Sequence, residues 1–150
     1  MKKFAILLAF LWLCFPTAIL AENPPYVEEQ IIFLCNEIRR NHDLPPLTIN
    51  WEAARVARHK TEDMLVHMYF SHDSPVYGSF FDMLKNFHIP YNAAGENIAS
   101  GFATPQAVVD AWMTSPTHSQ NILSESFTQA GVGYSTDGKV NLWALILFDH

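Results

Sequence analysis

Apolar residues along most of the chain recur every three to four positions, which is the period of a helix with one buried face. Val27 and Ile31 begin this pattern in the first predicted helix. Asn50 and the pairs Thr104-Pro105 and Ser115-Pro116 are helix start signals, because the polar side chain can cap a first turn and proline is tolerated there. The pattern predicts helices over Tyr26–His42, Asn50–Met68, Ser79–Asn86, Thr104–Trp112 and Ser115–Leu123.

The period changes toward the C-terminal end of the chain. Phe127–Thr136 and Lys139–Phe148 predict two strands around Asp137-Gly138, a pair typical of a tight hairpin turn. Leu142–Phe148 is apolar throughout and indicates a central strand covered on both faces. Residues 90–101 contain glycine and asparagine and break the helical period. Helices followed by a terminal hairpin predict an α+β domain with helices packed on a sheet.

The second predicted helix carries two different faces. His59, Asp63 and His67 are spaced four residues apart and share one face, where they could in principle bind a metal together. That face lies nearly opposite the apolar stripe, so a solvated surface is the better interpretation. The residues of the predicted inner stripe are Ala54, Ala57, Thr61, Met64 and Met68.

The N-terminal segment has the pattern of a signal peptide. Met1-Lys2-Lys3 is positively charged, Phe4–Phe15 is apolar, and a short segment with small residues follows up to Ala21. The apolar run is shorter than the roughly 20 residues that span a bilayer. We therefore expect cleavage after Ala21, export to the periplasm or the medium, and one domain over residues 22–150 without a transmembrane segment. A retained N-terminal anchor is the alternative.

Composition narrows the range of partners and of covalent links. The chain has 9 basic and 15 acidic residues, a net charge of −6, and loss of Lys2 and Lys3 makes it more negative. This charge argues against nucleic acid or an anionic membrane as an electrostatic partner. Cleavage also removes Cys14 and leaves Cys35, which cannot form an internal disulfide and is expected to be a small buried hydrophobe.

The signatures of common enzymes are missing from the sequence. There is no His-Glu-x-x-His zinc motif, no Gly-x-Ser-x-Gly nucleophile turn and no phosphate-binding loop. Gly131-Val132-Gly133 lies inside a predicted strand, where close packing explains it better than a dinucleotide site. These observations weigh against ordinary nucleophilic catalysis.

Five polar motifs within apolar segments carry a family resemblance. In chain order they are Phe70-Ser71-His72, Gly95-Glu96-Asn97-Ile98-Ala99, Trp112 to His118, Asn121-Ile122-Leu123 and Phe127 to Gly133. Their order and spacing resemble the CAP superfamily of cysteine-rich secretory, antigen 5 and pathogenesis-related 1 proteins, and most of all its disulfide-free bacterial branch. The resemblance covers about Ile31 to Asp149.

The resemblance implies a three-layer α-β-α sandwich around a mainly antiparallel sheet. It also implies a cleft with two histidines and two glutamates that binds a divalent metal in some members. His72 and Glu96 match one histidine and one glutamate of that set. Ser115 stands where the second glutamate is expected, and Ser126 stands where the second histidine is expected.

His118, in a Ser-Pro-x-His motif that resembles the bacterial branch, is the candidate replacement in the cleft. With His72 and Glu96 it would make a His₂Glu set, the ligand kinds of a catalytic zinc. The alternative is that these three side chains form a buried hydrogen-bonded network without a metal. Asn97 and Thr128 are interpreted as structural hydrogen-bonding residues near the cleft, and Trp112 and Trp143 as core residues.

The leading functional hypothesis is an extracellular binding module. CAP proteins share no single reaction, and the resemblance includes members that bind lipids, sterols or partner proteins. A small apolar molecule, a cell-wall fragment and a protein are therefore all candidate ligands. The alternatives are a divalent-metal-dependent hydrolase that uses a His/Glu/His site, with zinc as the first candidate ion, and a structural or interaction protein whose polar cluster has no ligand.

Overall fold

The computed structural model describes residues 24–150. The predicted signal peptide, residues 1–21, lies outside this range and stays a prediction. The helices are α1 (Pro24–Arg40), α2 (Trp51–Val66), α3 (Phe80–Asn86), α4 (Pro105–Thr114) and α5 (Pro116–Ile122). The strands are β1 (Thr48–Ile49), β2 (Ala93–Ser100), β3 (Gln129–Thr136) and β4 (Asn141–Asp149). In the described part of the chain, no helix has both the length and the apolar character needed to cross a membrane.

The strands form one mainly antiparallel sheet in the order β1-β3-β4-β2. β3 and β4 form the predicted hairpin, and β2 pairs antiparallel with the other edge of β4. The short β1 adds a parallel pair next to β3. β4 is therefore an inner strand, and Leu142–Phe148 is buried along its whole length, as the continuous apolar run predicted.

Alternation along β4 divides the core into two layers, because successive side chains of a strand point to opposite faces. Trp143 and Leu145 pack with residues of α1 and α4. Ala144 and Ile146 pack with residues of α2 and α3. The sheet is thus covered by helices on both faces, which confirms the three-layer α-β-α sandwich.

The predicted core residues are buried. Trp112 and Trp143 are each 1% exposed, and Cys35 is fully buried. Burial raises the pKa of the Cys35 thiol to about 12, so the thiol stays protonated and unreactive at neutral pH. The interpretation of Cys35 as a small hydrophobe is confirmed.

Two glycines of β3 let α2 approach the sheet closely. A Cβ on Gly131 would lie 2.1 Å from the backbone nitrogen of Ala54, and a Cβ on Gly133 would lie 2.2 Å from the carbonyl carbon of Ala57. Neither distance leaves room for a methyl group. The close-packing interpretation of Gly131-Val132-Gly133 is confirmed.

Three expectations from the sequence need correction. Residues 93–100, treated only as a break in helical period, form β2. Met68 was expected to be inward but is 91% exposed, because α2 ends at Val66 and the chain turns away with a φ of 52° at Met68. Asp63 was expected on a solvated face but is 6% exposed, because Tyr69 and Ser74 fold back over α2 and donate hydrogen bonds to it.

Candidate functional site

His72 and Glu96 form the centre of the candidate site. His72 lies in the connection between α2 and α3, and Glu96 lies on β2 opposite Ile146 of β4. The Nδ1 atom of His72 and the Oε1 atom of Glu96 are 2.7 Å apart. The His72 side chain is 52% exposed and that of Glu96 is 2% exposed, so the imidazole lies between the carboxylate and solvent.

Two buried side chains of α2 hold the connection that carries His72. The Nζ atom of Lys60 donates to the main-chain carbonyl of His72 at 2.7 Å. The carboxylate of Asp63 accepts hydrogen bonds from Tyr69 and, at 2.5 Å, from the Ser74 hydroxyl. These contacts fix the His72 backbone to a rigid helix.

Lys60 is not among the site residues predicted from the sequence. Lys60 is fully buried, and burial lowers the pKa of its amine against the opposing effect of nearby Glu96 and Asp63. The signal was in the pattern, because Lys60 follows Ala57 by three positions and precedes Met64 by four, which places it on the apolar stripe. A lysine in that position is costly unless its charge is paired.

One oxygen of Glu96 has no protein partner. Oε1 contacts His72, whereas Oε2 is buried and accepts no hydrogen bond from any described residue. A buried polar atom without a partner costs about 1–3 kcal/mol, and more when it is charged. Such an atom in a folded protein is a candidate for ligand binding or catalysis.

An open pocket of about 290 Å³ lies at this carboxylate. Its lining combines two acidic side chains and one imidazole with an aromatic wall. The residues that line it are His72, Asp73, Ser79, Phe80, Phe81, Gly95 and Glu96. Of the predicted site residues, His72 and Glu96 contribute to this lining.

His118 lies on α5, next to the pair but outside the pocket lining. Its main-chain carbonyl accepts a hydrogen bond from Asn97 Nδ2 at 3.0 Å, and Asn97 in turn accepts from Asn121 at 2.8 Å. Asn97 lies on β2 and is fully buried, and its hydrogen bonds to His118 and Asn121 fasten α5 to β2. Its placement agrees with a structural hydrogen-bonding role.

The remaining predicted residues lie at the start of α5 and in the segment between α5 and β3. Ser115 occupies the N-cap position of α5, but its side chain makes no capping hydrogen bond, so capping does not explain this serine. Ser126 is exposed, and its backbone NH donates to Ser124 Oγ. The Thr128 hydroxyl donates to Asp149 Oδ1 at 2.7 Å. None of the three is part of the pocket lining.

The donor atoms near His72 do not meet the needs of a divalent metal ion. A catalytic zinc site uses three protein ligands about 2.0–2.2 Å from the ion. Within residues 24–150, no group of three or more His, Cys, Asp or Glu side chains is arranged to hold an ion. His72 and Glu96 are in contact, and His118 makes no hydrogen bond to either. The side chains as placed do not fit a three-ligand site, and the metal stays a prediction that metal analysis would test.

The two histidines of the site have opposite pKa shifts. The hydrogen bond to Glu96 raises the pKa of His72 above its usual value of about 6.5, against a smaller opposing effect of burial. Burial, and then the charge of His72, lower the pKa of His118. Near neutral pH, His72 is therefore the histidine that holds its proton more strongly.

The His72–Glu96 pair is expected to stabilise the fold most at low pH. Because the folded state raises the pKa of His72, this contribution is complete below about pH 6.5 and is lost as pH rises through the raised value. NMR titration should give a His72 midpoint above about 6.5 that falls in Glu96→Gln. The difference in unfolding free energy between the wild type and Glu96→Gln should shrink as pH rises. An unchanged His72 midpoint in the variant would contradict this assignment.

A family model and two curated relatives each match most of the chain. A model of the cysteine-rich secretory protein family, CAP, matches residues 32–147. The uncharacterized protein YkwD of Bacillus subtilis (strain 168) is 48% identical over 113 residues, which are 75% of this chain and 44% of YkwD. The uncharacterized membrane protein YlbC of the same organism is 38% identical over 120 residues, 77% of this chain and 35% of YlbC. The chain spans less than half the length of either relative.

A solved structure has a similar architecture. It is an extracellular protein containing a SCP domain from Bacillus anthracis str. Ames, with a TM-score of 0.79 and 35% sequence identity. The match covers 85% of this chain and 41% of that chain. The likeness therefore extends over most of the chain.

Proposed function

Because this chain belongs to the cysteine-rich secretory protein (CAP) family, we propose that it is an extracellular binding module whose ligand donates a hydrogen bond to Glu96. The observation that carries the proposal is the buried Oε2 atom of Glu96, which has no protein partner. Glu96 is part of the lining of an open pocket, although Oε2 itself has almost no accessible surface. A ligand that displaces a neighbouring side chain, such as the half-exposed His72, and donates to this oxygen removes a desolvation cost already present in the folded protein. A ligand without a donor leaves that cost in place.

The anchored backbone around the pocket supports binding. Lys60 holds the carbonyl of His72, and Asn97 holds the carbonyl of His118. Binding to a site already held in place costs less conformational entropy, because the protein groups that contact the ligand need not be ordered. The absence of hydrolase motifs from the sequence also favours binding over turnover. The metal-dependent hydrolase remains the rival hypothesis and requires a third ligand to join His72 and Glu96.

The isosteric change Glu96→Gln tests the binding module. We expect ligands found by thermal-shift screening of sugars, lipids and peptides to raise the melting temperature of the wild type and not of the variant. Ligand at 100 times its dissociation constant stabilises a protein by about 2.7 kcal/mol, which is readily measured. At a pH above the raised pKa of His72, the unliganded variant should melt close to the wild type, because the stabilisation from the His72–Glu96 pair is lost there.

Two outcomes would overturn the binding proposal. Equal stabilisation of both proteins by every ligand would place binding elsewhere on the molecule. A large fall in the melting temperature of Glu96→Gln with unchanged ligand affinity would assign the pair to a purely structural network.

We also propose that the protein is exported and processed. The signal-peptide pattern supports this, as does the 35% identical SCP-domain protein described as extracellular. Intact mass and N-terminal sequencing of protein from the periplasm or the medium should give Glu22 as the first residue. An N-terminus at Met1 in membrane-bound protein would instead indicate a retained anchor.

A further inference from the structure

The charges around the pocket offset one another. Glu96 and Asp73 bring two carboxylates to the lining. His72 is hydrogen-bonded to Glu96, and the buried ammonium of Lys60 interacts electrostatically with both carboxylates. A site without an excess of either charge draws in neither anions nor cations from a distance. Hydrogen bonds and apolar contact therefore decide which ligand the pocket prefers.

Two accessible side chains of the pocket have hydrogen-bonding capacity to spare. The His72 side chain is 52% exposed, and its Nε2 atom contacts no polar group within residues 24–150. Asp73 is exposed, and its backbone NH donates to Ser71 Oγ, whereas its carboxylate accepts no hydrogen bond from a described residue. An imidazole nitrogen accepts when the ring is neutral and donates when it is charged. A hydroxyl, which does both, suits this nitrogen in either state.

An aromatic surface stands beside these polar groups. Phe81 is 51% exposed, although it belongs to the pocket lining. Its ring centroid is 6.0 Å from that of Tyr91, which is 37% exposed, and the two ring planes differ by 34°. Covering an exposed ring removes apolar area from water and so favours binding. A ligand with a flat apolar face gains most from this surface.

We propose that the pocket binds one ring of a neutral carbohydrate, with the C–H face of the pyranose on Phe81 and adjacent hydroxyls on Asp73 and His72. The inference rests on the proposed binding function and names its ligand class. These contacts use groups that are exposed as the protein stands, and none of them involves the buried Glu96 Oε2. The volume of about 290 Å³ lies at the low end for small-molecule sites, which suits one ring of a sugar chain.

Other ligand classes fit less well. A sterol or a fatty acyl chain would cover Asp73 and His72 without a hydrogen bond, which is costly for polar groups. A charged ligand meets one carboxylate or one basic group of its own sign. An extended peptide presents successive NH groups on opposite sides of its backbone and offers Asp73 a single donor. Two adjacent sugar hydroxyls can donate to both oxygens of that carboxylate.

Neutral probes separate the sugar ring from its hydroxyls. The methyl glycosides of glucose, galactose and N-acetylglucosamine carry both, sorbitol carries hydroxyls on an open chain, and cyclohexanol carries a ring with one hydroxyl. We expect at least one glycoside to shift the NMR signals of His72, Phe81 and Gly95 in buffer containing a chelator, and sorbitol and cyclohexanol to leave them unchanged. No shift with any glycoside at its highest soluble concentration, or an equal shift with sorbitol, would overturn the inference.

Variants of the two exposed contact residues test the geometry. Phe81→Ala should weaken binding of the glycoside about tenfold, because the sugar loses its apolar partner. Phe81→Tyr keeps the aromatic face and should restore the affinity of the wild type. Asp73→Asn should weaken binding about fivefold, since hydrogen bonds to a charged acceptor are stronger than those to a neutral one. Unchanged affinity in both Phe81→Ala and Asp73→Asn would show that the sugar binds elsewhere.

A matched aromatic control is available on another layer of the sandwich. Phe33 is 62% exposed and lies on α1, which packs on the opposite face of the sheet from α3. Phe33→Ala should leave the affinity for the glycoside unchanged. Equal losses in Phe33→Ala and Phe81→Ala would reduce the effect to a general loss of exposed aromatic surface and contradict the assigned site.

The failure of this inference is distinguishable from that of the binding proposal. Ligands from the thermal-shift screen that need Glu96 and bind unchanged to Phe81→Ala, while no glycoside binds, would overturn the carbohydrate class and leave the binding module in place. Glycoside binding that needs Phe81 and Asp73 but is unchanged in Glu96→Gln would support the carbohydrate class and overturn the hydrogen bond to Glu96. Glycoside binding that is unchanged in Phe81→Ala, Asp73→Asn and Glu96→Gln would overturn both.

Discussion

Gly133→Ala is expected to lower the free energy of unfolding by about 3 kcal/mol or more, because it inserts a methyl group between β3 and α2. The added Cβ would lie 2.2 Å from the carbonyl carbon of Ala57 and 2.3 Å from its oxygen. Both atoms belong to the backbone of a helix, so a side-chain rotation cannot relieve the overlap. The helix must move off the sheet, which separates the contacts of a whole core layer. Urea unfolding of the purified protein measures the loss.

Gly95→Ala is the matched control for Gly133→Ala. Gly95 lies in β2 of the same sheet, and its added Cβ would lie 3.0 Å from Asn121 Oδ1 and 3.1 Å from Phe127 Cζ. These neighbours are the ends of side chains and can shift by a few tenths of an ångström. We expect a loss of about 1 kcal/mol. Equal losses in the two variants would show that the α2 backbone does not limit the space at Gly133.

Arg39→Met is expected to cost about 4 kcal/mol, since it removes a buried charge that satisfies several backbone carbonyls at once. Arg39 is 1% exposed at the end of α1. Its guanidinium ties α1 to the chain that leaves α5 and enters β3. It donates hydrogen bonds to the carbonyls of Pro45, Ile122, Ser124 and Phe127 at 2.8, 2.9, 2.8 and 3.1 Å. Methionine fills a similar length and leaves these acceptors without their donor.

Arg40→Met provides the control on the adjacent position. Arg40 is exposed and pairs with Glu37 on the helix surface. Exposed ion pairs of this kind contribute at most about 1 kcal/mol, so the loss should be small. Hydrogen exchange should also become faster at residues 122–127 in Arg39→Met and stay unchanged in Arg40→Met. Similar losses of stability in both variants would contradict the role assigned to Arg39.

The candidate site depends on distant parts of the chain that converge on one pocket. The connection after α2 provides His72 and β2 provides Glu96, and Lys60 of α2 holds the His72 backbone from outside the pocket lining. Each is held by a hydrogen bond or by strand pairing, so the pocket is formed before any ligand arrives. This arrangement suits a protein that recognises a ligand by fixed groups.

The sequence by itself determined the features that depend on neighbouring residues. Asn50 and Thr104 accept capping hydrogen bonds from the first turns of α2 and α4, as their side chains predicted. The hairpin around Asp137-Gly138 and the buried run of β4 also followed from local pattern. Propensity, capping and hydrophobic period act over a few residues and can be read from a single chain.

Only the tertiary structure decided what the buried polar groups contact and which of them lack a partner. β2 is rich in alanine and glycine and becomes a strand because β4 offers it a complete edge to pair with. Asp63 changes from surface to core because the next segment folds over it. Arg39, Lys60 and the free oxygen of Glu96 have roles set by atoms from distant segments of the chain. Such contacts depend on the meeting of distant segments, and no local pattern specifies them.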